Sequence, residues 1–298
     1  MRLLRRLAVL VLAGMLTLAT ASPADGAPAP SAAPTVPVLV GIRAAHHLTF
    51  DRIVFDFRGG LPAGRQVGYV PELIADGSGL PVPIAGRAIL QVRFEQADAH
   101  DQNGAETAPG RVAFALPNVM TAVRSGDFEA VTTYGIGLAQ REPFTVSTLR
   151  NPDRVVIDVG AAFRTVPRQV WFFDEDAFVA GQEPFFVPVS RPVLPLSPAT
   201  GVLDRLFAGP LPSEEAQGLR LLSSEATGFT GLSIGNRVAR VQLTGGCSSG
   251  GSTVSIAGEI MPSLRQFATV DFVKIFDPAG ATERPTGLSD SQPECLEP

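Results

Sequence analysis

The sequence predicts two domains, an N-terminal all-β sandwich followed by a C-terminal mixed α/β domain with about two helices on a sheet. Three observations carry this. Removing a leader leaves about 277 residues, large for a single core and comfortable for two. With 30 Gly and 26 Pro, the apolar segments are short and separated by turn residues, which favours strands over long helices. Helix start and stop signals occur only after residue 196, whereas the segments before residue 163 alternate with period two.

The chain begins as an export leader. Arg2, Arg5 and Arg6 form a positive head, Leu7 to Leu18 an apolar run, and Ala19-Thr20-Ala21 supplies small residues ahead of a cut before Ser22. The apolar run is too short to span a bilayer and is broken by Thr17, Thr20 and Pro23, so no transmembrane segment is expected after cleavage. Residues 1–21 are thus read as the signal peptide. No cysteine near the cut offers a lipid attachment point. Residues 22–37 hold five prolines and five alanines and read as an extended spacer. Lys plus Arg number 24 against 29 Asp plus Glu, a net charge of -5 spread without long runs, which argues against a nucleic-acid binder.

The first domain is expected over residues 38–163. Ile53, Phe55 and Phe57 share one face of a strand, as do Leu90, Val92 and Phe94 of another. Further strands are expected at Val67 to Pro71, Val112 to Leu116, Asn118 to Val123, Val131 to Gly137, Phe144 to Leu149 and Val155 to Val159. Their regular spacing points to a sandwich or barrel, without helices.

The second domain is expected over residues 168–278. Val170 to Phe173 and Phe185 to Ser190 read as strands. Ser197-Pro198 then opens a helix, with Leu203, Leu206 and Phe207 on its apolar side and Gly209-Pro210 ending it. Strands at Leu219 to Leu222, Phe229 to Ile234 and Arg237 to Leu243 follow, the last two joined by a Gly235-Asn236 turn. A second helix is expected from Ser252 towards Gln266, kinked or split at Pro262, because proline lacks the N–H and crowds the carbonyl of Gly258. Val270 to Phe276 closes the domain.

Cys247 and Cys295 are expected to form a disulfide in an oxidising compartment, tethering the tail at 279–298. Closing a loop of about 49 residues contributes about 4 kcal/mol on the chain-entropy model, less any strain.

Several motifs could carry chemistry, and each has a simpler structural explanation. Gly231-Leu232-Ser233-Ile234-Gly235 matches G-x-S-x-G, yet a hairpin follows where a nucleophile elbow needs a helix, and every histidine lies upstream. His46, His47 and His100, the last followed by Asp101, read as loop or strand-end residues. Zinc would need three or four converging ligands, and one bound equivalent would overturn that reading. Asp174-Glu175-Asp176 lacks calcium-loop spacing, and Glu214-Glu215 fits a helix N-terminus. No catalytic residue, metal or cofactor is therefore expected, and a hydrolase is the least favoured reading.

Two family resemblances add to this. Phe50-Asp51-Arg52-Ile53-Val54-Phe55-Asp56-Phe57, Gly126-Asp127-Phe128-Glu129 with Gly135-Ile136-Gly137, and Asn151-Pro152-Asp153-Arg154-Val155-Val156-Ile157-Asp158-Val159 make Gly41 to Val159 resemble the AMIN-like domain of exported bacterial proteins. That resemblance implies a β-sandwich that binds cell wall without catalysis. Val170 to Pro278 resembles the GerMN domain of spore-germination, sporulation and envelope proteins, through Arg191-Pro192-Val193, Leu206-Phe207-Ala208-Gly209-Pro210, the hairpin at Gly235-Asn236, and Ile260 to Phe276. It implies a non-catalytic adhesion or assembly module. The expectation is thus an exported, extracytoplasmic protein, wall-associated or secreted, that binds cell-wall glycan (peptidoglycan) or an envelope protein. Asp51, Arg52, Arg58 and Arg154 are its candidate binding residues, since arginine forms forked bonds to wall-peptide carboxylates. The alternative is a scaffold for an envelope or sporulation-type complex.

Overall fold

Alternation in the first half translates into two facing antiparallel sheets. β1 (Val38–His47) pairs with β2 (Phe50–Arg58), and β2 with β9 (Asp153–Gly160), which carries β8 (Phe144–Leu149) on its other edge. The opposing sheet runs β3 (Gly64–Val70), β4 (Ala88–Glu95), β7 (Val131–Leu138), β6 (Val119–Phe128), β5 (Arg111–Ala113). The core lies between the sheets. Ile53, Phe55 and Phe57 of β2 and Val155, Ile157 and Val159 of β9 meet Leu90, Val92 and Phe94 of β4 and Tyr134 and Ile136 of β7. Phe94 stacks edge-on to both Phe55 and Phe57, at 5.1 Å between ring centres in each pair.

The computed structural model describes residues 36–298, which cluster as one compact unit. The leader at 1–21 and nearly all of the spacer at 22–37 lie outside the described residues. Each expected sandwich strand is found, and β1 is an addition. Gly137 has a packing reason: a Cβ there would sit 2.0 Å from the carbonyl of Ala85, so only glycine lets that loop lie on β7.

The second half combines two three-stranded sheets with four helices. One sheet runs β11 (Phe186–Val193), β10 (Val166–Asp174), β12 (Leu219–Arg220); the other runs β13 (Ala226–Gly235), β14 (Val238–Gly245), β15 (Phe272–Phe276), with β14 and β15 parallel. The two longer helices, α2 (Pro198–Ala208) and α4 (Ala257–Arg265), pack on β10 and on each other. Short helices α1 (Glu175–Ala180) and α3 (Pro212–Glu215) lie where the sequence shows only acidic clusters. Asp174 caps α1 by accepting from the Ala177 N–H, and Glu175 and Asp176 complement its N-terminal dipole.

Two helix expectations need correction. Ser197 precedes α2, but its hydroxyl makes no capping bond; Pro198 in the first turn, with its missing N–H, marks the start instead. The second helix begins at Ala257 instead of Ser252, because Gly250 and Gly251 take positive φ angles (61° and 79°) and Ser252 closes a turn onto Ser249. It then runs unbroken through Pro262 to Arg265. Gly258, one turn before that proline, leaves room for the ring of Phe186, which an added Cβ would meet at 2.1 Å.

The two halves have separate apolar cores but share a boundary. Ala85, Met120 and Ala139 of the sandwich join the core of the second half. There Arg205 of α2, 2% exposed, donates to the carbonyls of Phe114, Leu116 and Pro117 in the loop between β5 and β6. Burial with carbonyl partners only pulls its guanidinium down to about 9. Cys247 and Cys295 are disulfide-bonded, with Cα atoms 5.7 Å apart. The tail is further fixed by the buried Lys274 ammonium, which donates to the carbonyls of Arg284 and Thr286.

Candidate binding face

The period of two in β2 sends Asp51, Ile53, Phe55 and Phe57 to one side and Arg52, Val54, Asp56 and Arg58 to the other. Register then assembles the outer face of the four-stranded sheet. Arg52 lies opposite Asp158, Asp56 opposite Arg154, and Arg43 opposite Val54.

Arg52 forks onto Asp158 with two bonds of 2.7 Å, which raises its guanidinium further above its ordinary value. Arg43 likewise forks onto Asp56, with bonds of 2.8 and 3.1 Å. Between these pairs Val54 and Val156 are almost fully covered although they face outward, flanked in register by Arg43 and Ser147. Arg154 donates only to the carbonyl of Pro152, at 3.2 Å. Among the described residues neither Arg58 nor Arg154 has a carboxylate partner. At the far end of β2, Phe50 stacks on His47 with 4.7 Å between ring centres, and the Arg52 guanidinium lies 5.4 Å from the centre of the Phe50 ring. The face therefore presents two neutralised ion pairs, an aromatic platform at one end and two arginines free to take carboxylates at the other.

Of the four binding residues expected from sequence, Arg52, Arg58 and Arg154 come together on this face. Asp51 does not. It points inward with 0% exposure, accepts the backbone N–H groups of Asn118 and Val119 at 2.6 and 2.9 Å, and bonds His46 Nδ1 at 2.7 Å. The physical reason is parity: Asp51 shares the inward phase with Ile53, and its carboxylate satisfies backbone donors that would otherwise be orphaned. Sequence reasoning missed Arg43 and Phe50 as members of the face. Arg43 needs the β1–β2 register to be seen, since nothing in its local sequence distinguishes it.

The remaining motifs resolve simply. Ser233 is exposed in the β13–β14 hairpin opposite Arg240, followed by a strand. Glu214 forms a two-pronged ion pair with the buried Arg191 and accepts from the Leu211 N–H, a structural role for that acidic pair. Asp101 folds its carboxylate onto the N–H groups of Asn103 and Ala105 within its own turn.

No helix among the described residues is long and apolar enough to cross a membrane. No curated protein and no solved structure matches the chain. Residues 37–161, the stretch that forms the sandwich and carries the arginine face, match the family model of the AMIN-like domain.

Proposed function

We propose that this is an exported, non-catalytic protein that binds cell-wall peptidoglycan through the outer face of the β1-β2-β9-β8 sheet. The observation that carries the reading is the pair of an exposed Arg58 and a half-buried Arg154, neither with a carboxylate partner among the described residues, beside two internally neutralised arginine–aspartate pairs, on a domain whose family model fits a wall-related binding module. Peptidoglycan offers the matching chemistry: peptide stems with free carboxylates for the forked arginines, and sugar rings for the Phe50–His47 platform. The leader read in residues 1–21 would deliver the chain to that compartment. The second half, by its resemblance to GerMN domains, would act as the adhesion or assembly module, held to the sandwich by Arg205.

Sedimentation of the full chain with purified peptidoglycan tests this. Retention in the pellet supports the reading. A chain that stays in solution, yet gives a defined protein adduct on crosslinking in the native envelope after wall digestion, would favour a protein scaffold instead.

A further inference from the structure

The chain bears a second constellation, on the opposing sheet and outside the arginine face. Ala97 and Ala99 are fully buried, so alternation places Asp98 and His100 together on the other side of the segment that follows β4. Asp127, near the end of β6, reaches them across the sheet. Its Oδ1 accepts from the N–H of Ala99 at 2.9 Å and from the Thr132 hydroxyl at 2.8 Å, which fixes the carboxylate and aims Oδ2 at His100 Nδ1, 2.7 Å away. Ligand atoms of Asp98, His100 and Asp127 all lie within 4.8 Å of one another.

We propose that Asp98, His100 and Asp127 form a binding site for a divalent transition-metal cation, with zinc as its fitting occupant. The donor set selects the class. Two carboxylate oxygens and one imidazole nitrogen suit zinc, whereas magnesium and calcium take oxygen ligands without imidazole. Zinc bonds of about 2.0–2.2 Å require only modest adjustment of ligand atoms already this close. Two carboxylates with a neutral imidazole balance the dication, and the bonds from Ala99 and Thr132 to Asp127 are the outer-shell support that orients a ligating carboxylate. The Asp98 carboxylate makes no hydrogen bond among the described residues, which leaves it free to ligate. Arg124, whose positive charge is felt at His100, is tied to Glu106. His100 and Asp127 remain partly exposed, at 33% and 10% of their side chains, so a cation can enter and a water can complete the shell.

The test is calorimetric titration of the full chain with zinc chloride near neutral pH, alongside Asp98→Asn, His100→Ala and the double variant His46→Ala/His47→Ala. One equivalent is expected for the wild type and for the double variant. At least about a tenfold loss of affinity is expected for Asp98→Asn and for His100→Ala. Absence of zinc uptake by the wild type, or undiminished uptake by His100→Ala, overturns the proposal and leaves a histidine paired with Asp127 alone. A variant-free check is the NMR spectrum of the histidine rings: zinc should perturb the His100 ring selectively, and an unchanged His100 signal at saturating zinc contradicts the site.

Discussion

Arg205 in the second half donates a hydrogen bond of 2.9 Å to the carbonyl of Phe114 in the sandwich, and the same guanidinium serves the carbonyls of Leu116 and Pro117. A buried cation with only backbone carbonyls as partners is tolerated because each N–H so used is satisfied. It makes the β5–β6 loop dependent on α2. Replacing Arg205 with Ala should lower stability by about 2–3 kcal/mol in urea titration, since three partly buried carbonyls lose a donor together. A loss below about 1 kcal/mol would show that water replaces the guanidinium without penalty.

Asp51 is the sandwich's counterpart. Its carboxylate holds the Asn118 and Val119 N–H groups. Asp51→Ala should destabilise by about 2–4 kcal/mol, yet leave peptidoglycan retention unchanged at temperatures where the variant is folded. Lost retention in a folded variant would return Asp51 to the binding site.

Glu259 gives the fold a pH dependence. It is fully buried; Oε1 accepts from the N–H groups of Phe173 and Leu222, while Oε2 has no partner. Burial pushes its pKa up to about 8, against an ordinary value of 4.5. Between those values the folded acid keeps a proton that the unfolded chain has released, so stability falls as pH rises, by on the order of 1 kcal/mol per pH unit. Asp204, raised by burial to about 6, acts in the same direction over a lower window. Glu259→Gln should flatten the slope up to about pH 8 and melt above the wild type at the alkaline end. Parallel stability–pH curves for the two proteins would contradict a protonated Glu259.

Reduction of the Cys247–Cys295 bond should cost about 2–4 kcal/mol. The tail should loosen only beyond Ser291, because Ser291 donates to the Val273 carbonyl and Lys274 holds the segment before it. Hydrogen exchange under reducing conditions reads this directly. Full exposure from residue 279 onward would show that the disulfide alone fastens the tail.

The sandwich strands were legible because period-two alternation survives in each of them, as in Ile53, Phe55 and Phe57. β1 was not, since Gly41 and a register shift blur its alternation. Arg52, Arg58 and Arg154 could be grouped on one face from sequence because they sit on the polar phase of their strands. Asp51 was misplaced by treating a charged residue as a surface one, although its position one residue from Arg52 already assigned it the opposite face. Short helices such as α1 escape periodicity altogether, and long-range groupings such as Asp98 with Asp127 depend on register that no local pattern encodes.

The central claim is that peptidoglycan carboxylates are taken by the free arginines of the outer sheet face. Quantitative sedimentation of the full chain and of its Arg58→Glu/Arg154→Glu variant with purified peptidoglycan tests it most directly, because both side chains are surface groups whose replacement leaves the core intact. Retention of the wild type that weakens with salt, and its loss in the folded variant, is the expected result. Equal retention of the two proteins, or none for the wild type, would contradict it.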